Sequence, residues 1–232
     1  MILFQLIFFV SLAVLFYSYL GYGGLVWIVT RNRSAHQSGT HGAEWPAISL
    51  IIPAYNEGAL LDQKISNSLA IDYPAHRLNI ILVTDGSTDD SATVVRRYPS
   101  IQLIHQPQRQ GKYAAICHAM QQVETPIVVF TDANTLLNPE CLKRMVPHYQ
   151  DPAVGGVAGE KKIRMDAHHS AVGQAEGLYW HYESFMKKMD ARFYTTVGAA
   201  GELFSIRTAL FKADQKAWII DDFMIAMQVC LQ

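Results

Sequence analysis

Three short runs of apolar and β-branched residues constrain this chain most, because each ends on a polar turn that carries a carboxylate. Ala47-Ile-Ser-Leu-Ile-Ile-Pro53 leads into Ala54-Tyr55-Asn56-Glu57, Leu78 to Val83 into Thr84-Asp85-Gly86-Ser87, and Pro126 to Thr131 into Asp132-Ala133-Asn134. Runs of this length and composition read as fully buried strands. Between them lie segments with apolar residues at helical spacing: Glu57 to Ile71, Ser87 to Tyr98 and Gly111 to Val123, with a further strand over Ile101 to His105. Strands alternating with helices predict an α/β fold with a mostly parallel sheet covered on both faces. Ligands of such sheets collect at the carboxyl ends of the strands, which is where these acids fall.

Beyond Asn134 the pattern changes. Pro139 to Tyr149 reads as helix, Val154 to Ile163 as a strand weakened by Gly155, Gly156 and Gly159, and Ala171 to Ala191 as one long helix. That helix carries Tyr179, Trp180, Tyr182 and Phe185, which serve either as a half-buried face or as a stacking surface. Gly198-Ala-Ala-Gly201 is a small-residue loop. Ile219 to Leu231 closes the chain as an amphipathic helix beginning at Asp221-Asp222.

The N-terminal thirty residues contain no Lys, Arg, Asp, Glu or His. About 20 apolar residues span a bilayer, so residues 1–30 are expected to be a transmembrane anchor. A cleaved signal peptide would need a basic start, a shorter apolar region and a small-residue cleavage site. Arg31 and Arg33 follow at once, which places the C-terminal side in the cytoplasm at the cell (inner) membrane. A linker over 31–46 and a soluble domain over 47–232 complete the expected organisation. The net charge of −1, with no basic stripe, gives no reason to expect nucleic acid. Three cysteines without a C-x-x-C pair fit a reduced compartment. His168-His169 have no partner at metal-ligand spacing and read as a polar turn. No P-loop or G-x-G-x-x-G motif is present, which removes the main support for a kinase, ATPase or nicotinamide enzyme.

Taken in order, Pro53-Ala-Tyr-Asn-Glu57, Asp85-Gly-Ser-Thr-Asp89, Gly111-Lys112, Thr131-Asp-Ala-Asn134 and Asp221-Asp222 resemble the motif series of family 2 glycosyltransferases. The resemblance implies a GT-A fold with a nucleotide-binding half (47–134) and an acceptor half (135–232), nucleotide-sugar binding, and inverting transfer of a sugar from a nucleotide diphosphate, in membrane polysaccharide biosynthesis at the cell envelope. It implies that Pro53, Tyr55 and Glu57 border the nucleoside, that Asp85 meets the base, usually uracil, and that Lys112 faces phosphate. Asp132 matches the first position of the family's D-x-D motif and, with Asn134 in the second, would hold Mn2+ or Mg2+. Asn134 is a hard oxygen ligand without charge, so metal binding should lean on the diphosphate. Asp222, with Asp221 before it, matches the family's catalytic acid pair and would act as general base. Gly198 and Gly201 would let an acceptor approach.

Each of these residues also has a plainer role. Glu57 complements a helix dipole, Asp85 and Asn134 suit turns, and Lys112 suits a solvated helical turn. Asp221 and Asp222 suit a helix N-terminus, and the Gly198–Gly201 segment a tight turn. Partners expected are a UDP-sugar donor, a glycan or lipid-linked acceptor and the bilayer. Processive members of the family carry a Q-x-x-R-W motif and further membrane helices beyond the acid pair. Neither occurs in the ten residues after Asp222. Two expectations follow: a compact transferase, or a non-catalytic nucleotide-sugar-binding remnant working with a partner subunit that supplies the missing elements.

Overall fold

A computed structural model describes residues 1–33, 44–161, 171–196, 198–214 and 218–232. Most of the expected linker and the His168-His169 turn lie outside these residues. The chain divides into two compact units, Met1–Gln37 with Lys162–Thr196, and Ser38–Lys161 with Val197–Gln232.

The first unit holds α1 (Ile2–Phe16), a π-helical turn (Tyr17–Gly21) and α2 (Tyr22–Thr30), which run on as one apolar helix. No side chain of α1 is buried. Its side chains, apolar except for Gln5 and Ser11, find no core to pack into among the described residues, as a lipid-facing helix requires. α2 differs, because Gly23, Val26 and Thr30 are buried where it packs against α7 (Ala171–Phe193). Thr30 Oγ1 donates to the Val26 carbonyl at 2.8 Å, which satisfies its hydroxyl inside that contact. Tyr22 donates to Asp190 at 2.8 Å, and the Arg33 guanidinium donates to the Phe193 carbonyl at 2.6 Å. That last bond places a cation on the C-terminal carbonyls of α7, where the helix dipole favours it. The long helix therefore extends to Phe193, beyond the Ala191 expected from its pattern.

The second unit is built on a six-stranded sheet with β1 (Ile48–Ala54), β2 (Leu78–Asp85), β3 (Gln102–Gln106), β4 (Ile127–Phe130), β5 (Gly156–Ala158) and β6 (Phe204–Arg207). Their spatial order is β3-β2-β1-β4-β6-β5. The pairs β1–β2, β2–β3 and β1–β4 are parallel, with Ile48 opposite both Leu78 and Ile127. β6 runs antiparallel to both β4 and β5. The helices are α3 (Gly58–Leu69), α4 (Ser91–Arg96), α5 (Lys112–Met120), α6 (Cys141–Met145) and α8 (Asp221–Cys230).

Period-two alternation sorts the strand residues onto two cores. Leu50, Ile52, Ile80, Leu82, Ile127 and Val129 pack with Leu61 and Ile65 of α3, Val94 and Val95 of α4 and Leu142 of α6. Ile51, Ile81, Val83, Val128 and Phe130 pack with Tyr113, Ile116 and Ala119 of α5 and Ile225 of α8. Most of these strand residues are wholly buried, each contributing roughly 1.5–3 kcal/mol of burial. The sheet reads as near-continuous apolar sequence because both faces are covered.

Three local expectations shift. The helix read over Ser87 to Tyr98 begins only at Ser91, because Ser87, Thr88 and Asp89 are engaged in loop contacts with the β1–α3 turn. The helix read over Pro139 to Tyr149 is α6 followed by a 3-10 segment at Val146–Gln150, where Pro147 lacks the N–H an α-helix needs. The weak strand over Val154 to Ile163 narrows to β5, and the strand β6 appears where the sequence shows only a segment after small residues.

Candidate active site

β2 and β3 lie on one side of β1, and β4 returns to the other. The strand order therefore reverses between β1 and β4, and a crevice opens at their carboxyl ends. An open cleft of ≈ 290 Å³ lies there, bordered by Pro53, Tyr55, Glu57, Asp85, Arg109, Lys112, Asp132 and Asn134. All of these except Arg109 are nucleotide- or metal-binding candidates read from the sequence.

The two loops after β1 and β2 are tied to each other. Asn56, at φ 53°, receives a hydrogen bond from the Thr88 amide at 2.8 Å and donates its own amide to Ser87 Oγ at 3.1 Å. The first amides of α3 are capped from the neighbouring loop, Glu57 N–H by Ser91 Oγ at 3.1 Å and Gly58 N–H by Asp89 at 2.8 Å. Orphan helix donors need such partners. The Ser-Thr-Asp that follows Asp85-Gly86 thus fixes the rim of the cleft.

Asp85 is 4 % exposed at the end of β2. Its carboxylate accepts the amides of Gln110 at 2.9 Å and Gly111 at 2.7 Å, which holds the loop before α5 against the cleft. Each carboxylate oxygen keeps a second lone pair for a ligand donor. Gly86, at φ +64°, lets Arg109 approach so closely that a Cβ at position 86 would stand 2.3 Å from the Arg109 amide nitrogen. Arg109 in turn lies over the Tyr55 ring, 3.8 Å from its centroid. This planar stack forms one wall of the cleft. Sequence reading takes Arg109 only as a neighbour of Lys112; its stacking depends on the Gly86 turn, which no local pattern announces.

Lys112 opens α5 and sits among acids. Its Nζ is 2.7 Å from Asp132 Oδ1 and 3.5 Å from Asp221 Oδ2. Burial by itself would lower the Lys112 pKa, but the hydrogen bond to Asp132 and the fields of Asp221, Asp132 and Asp222 hold it above the ordinary lysine value. Asp221 is buried, and that burial raises its carboxyl pKa against the opposing pull of Lys112. Asp222 is half-buried and beside Gly201, where a Cβ would stand 2.9 Å from Asp222 Oδ2. The absent side chain at Gly201 is what admits the carboxylate. Gly198 opens the same loop. Among the described residues, then, Asp85 and Asp132 share one cleft, and Asp221 approaches it through Lys112, while Asp222 lies beside Gly201 with no ion pair to Lys112. Tyr179, Tyr182 and Phe185 of α7 belong to the first unit, with the N-terminal helix.

The turn carrying Asp132 and Asn134 is held from behind by α3. Lys64, 1 % exposed, donates to Thr131 Oγ1 at 3.0 Å and to the Thr135 carbonyl at 2.6 Å. Asn67 exchanges two bonds with the Leu137 backbone, and Thr131 donates to the Glu202 carbonyl at 2.8 Å. Sequence reading misses Lys64, since a lysine on an amphipathic helix is ordinarily solvated. Asp132 and Asn134 supply hard oxygen donors, and no group of three or more His, Cys, Asp or Glu suited to a metal occurs among the described residues. That donor set fits a hard divalent cation that brings most of its ligands with it.

Comparison with known proteins agrees with this geometry. The chain is 30% identical over 121 residues to an N-acetylglucosaminyltransferase of Rhizobium sp. (strain N33), covering 50% of this chain and 27% of that protein. It is 26% identical over 182 residues to the poly-beta-1,6-N-acetyl-D-glucosamine synthase of Staphylococcus aureus, covering 77% of this chain and 42% of that one. The chain thus spans less than half the length of either relative. In fold it resembles a mannosyltransferase from Pyrobaculum calidifontis solved with GDP-Man and Mn2+, at a TM-score of 0.70 and 24% identity, over 94% of this chain and 62% of that one. It also resembles S. aureus TarS 1-349 in complex with UDP-GlcNAc, at 0.57 and 18% identity, over 79% and 53% of the two chains. Residues 49–214 match the model of Glycosyl transferase family 2, and the chain belongs to that family.

Proposed function

We propose that the chain transfers a hexosyl or N-acetylhexosaminyl group from a UDP-sugar to a hydroxyl of a glycan or lipid-linked acceptor, inverting the anomeric centre. The reading is carried by one observation: Lys112 joins Asp132, on the donor side of the crevice, to Asp221, the first residue of α8 and the neighbour of Asp222. The Tyr55–Arg109 stack offers a planar wall for a nucleobase, with Pro53, Glu57 and Asp85 around it. Lys112 and the N-terminal amides of α5 face where a diphosphate would lie. Asp132 and Asn134 would hold a divalent cation, Mn2+ or Mg2+, which when bound neutralises charge on the departing diphosphate.

Asp222 is the proton acceptor in this reading. Asp221 is buried against Lys112, whereas Asp222 is half-exposed beside the Gly201 loop, the side open to an acceptor. The acceptor hydroxyl gives its proton to Asp222 as its oxygen bonds to the anomeric carbon. The bond from that carbon to the phosphate oxygen breaks, and UDP leaves from the opposite face. The apolar helix over residues 2–30 holds the domain at the membrane, with Arg31 and Arg33 on the cytoplasmic side.

Release of UDP from a panel of UDP-sugars, in the presence of Mn2+, tests the assignment. Asp222→Asn should lower turnover by ~100-fold or more while leaving UDP affinity intact, the scale on which a general base acts. Equal turnover in both proteins removes Asp222 from the chemistry. UDP binding without turnover in either protein assigns the second reading, a nucleotide-sugar-binding subunit of a membrane glycan-synthesis complex.

A further inference from the structure

Lys112 is held by two carboxylates of different kinds. Asp132 is 30% exposed in its side chain and opens to the cleft, whereas Asp221 is 7% exposed and fixed at the first turn of α8. The buried Asp221 Oδ2 has no hydrogen-bond partner, and the Lys112 ammonium 3.5 Å away is its nearest compensating charge. The ammonium makes its short contact, 2.7 Å, with Asp132, yet that pair lies at the open cleft, where the Lys112 side chain is 38% and Asp132 30% exposed, so a ligand entering the cleft can reach it. An ammonium on Asp132 Oδ1 also occupies the oxygen that any cation at this turn would need. Two positive charges cannot share that oxygen at contact distance without strong repulsion.

We propose that Lys112 is a displaceable counter-cation: in the ligand-free site it neutralises Asp132 and excludes metal, and it releases Asp132 when an anionic diphosphate offers a better partner. Asp221 is then the fixed tether that keeps the ammonium in the site in both states, and it is a positioning residue, with the proton transfer left to Asp222. The inference rests on the reading of the cleft as a nucleotide-diphosphate site and deepens it. Its consequence is a coupling between ligands. Metal alone binds weakly, diphosphate alone binds weakly, and each raises the affinity for the other by the same factor.

The test is Mn2+ binding to the full chain in detergent without nucleotide, followed by loss of the free-ion electron paramagnetic resonance signal. Lys112→Met should tighten Mn2+ binding about tenfold, the effect of removing one competing charge from a half-exposed pair. Lys112→Arg should behave like the parent, because its charge remains. Lys112→Met combined with Asp221→Asn removes the buried charge that the single change leaves uncompensated, and it should show the same tightening. Where the single variant fails to fold, the double variant decides. Unchanged or weaker Mn2+ binding in the double variant overturns the proposal. Titration of the parent with UDP, with and without Mn2+, separates the two levels. Absence of any UDP binding refutes the nucleotide reading while leaving the metal-only comparison to decide the role of Lys112.

Discussion

Replacing Lys64 by Met should change how stability depends on pH, in a direction that the structure fixes. Burial is the largest influence on this ammonium and lowers its pKa from 10.5 to about 8, against the opposing fields of Asp132 and Cys141. An unfolded chain holds that proton up to about 10.4, so between the two values the unfolded state binds more protons. Stability from this group is therefore complete above the unfolded value and is lost as pH falls through about 8. Between about pH 7.5 and 9.5 the parent should gain about 2 kcal/mol relative to Lys64→Met, since one pKa unit corresponds to about 1.36 kcal/mol. Buried tyrosines titrate at higher pH in both proteins and cancel in the difference. Denaturant unfolding of the full chain in detergent, followed by tryptophan fluorescence at several pH values, reads that difference directly. A flat difference, or one that falls with pH, would refute the assignment of Lys64 as a strongly desolvated amine. The same change leaves the Thr135 carbonyl without its donor. The metal-dependent increment of nucleotide affinity should then fall more than the metal-free affinity, because the loosened turn is the one bearing Asp132 and Asn134.

Two further outcomes follow from particular contacts. Gly201→Val should depress turnover far more than UDP affinity, because its Cβ would press on Asp222 Oδ2 from 2.9 Å while the donor side of the cleft stays as it is; paired kinetic and binding titrations show whether the two effects separate. The protein should stay in the membrane fraction through high salt and alkaline carbonate and dissolve only in detergent, since every residue of α1 is exposed and apolar residues dominate it. Release by salt alone would rule out a spanning helix.

The parts of the fold that local pattern dictates are legible in the chain itself. β1, β2 and β4 are mostly apolar runs because both faces of the sheet are covered, interrupted by Ser49 in β1 and Asn79 in β2, and their carboxylate turns mark the crevice. What escapes depends on distant partners. β6 spans only Phe204–Arg207, and its burial comes from lying between β4 and β5, so nothing in those residues alone announces a strand. Ser87, Thr88 and Asp89 look like the start of a helix, yet their side chains and amides are used to cap α3 and fix Asn56. Lys64 resembles any lysine on an amphipathic helix; it is buried because Thr131 and Thr135 pass beneath it. α7 is legible as a helix, but its packing on α2 is not, since an apolar N-terminal helix carries no signal for a protein partner.

Charge explains why these particular residues meet at one crevice. Glu57, Asp85, Asp132, Asp221 and Asp222 gather around it, and Arg109 and Lys112 are the cations among its cleft-lining residues. Asp85 is largely satisfied by the Gln110 and Gly111 amides, and Lys112 offsets Asp132 at 2.7 Å while lying 3.5 Å from Asp221. The remaining carboxylates give the mouth a negative field that a bare polyanion would meet with repulsion. On the proposed function, a diphosphate arriving with a divalent cation would reverse that relation, with the cation at Asp132 and the phosphates at Lys112 and the start of α5. An Asn in place of a second acid at position 134 would then leave the metal leaning on the ligand. In the proposed reading Asp222, half-buried beside Gly201 and outside the Lys112–Asp132 pair, is the acceptor of the hydroxyl proton. If the cleft is the proposed donor site, it should favour the cation–nucleotide complex over either component alone, so its affinity for UDP should rise with Mn2+ and its affinity for Mn2+ should rise with UDP.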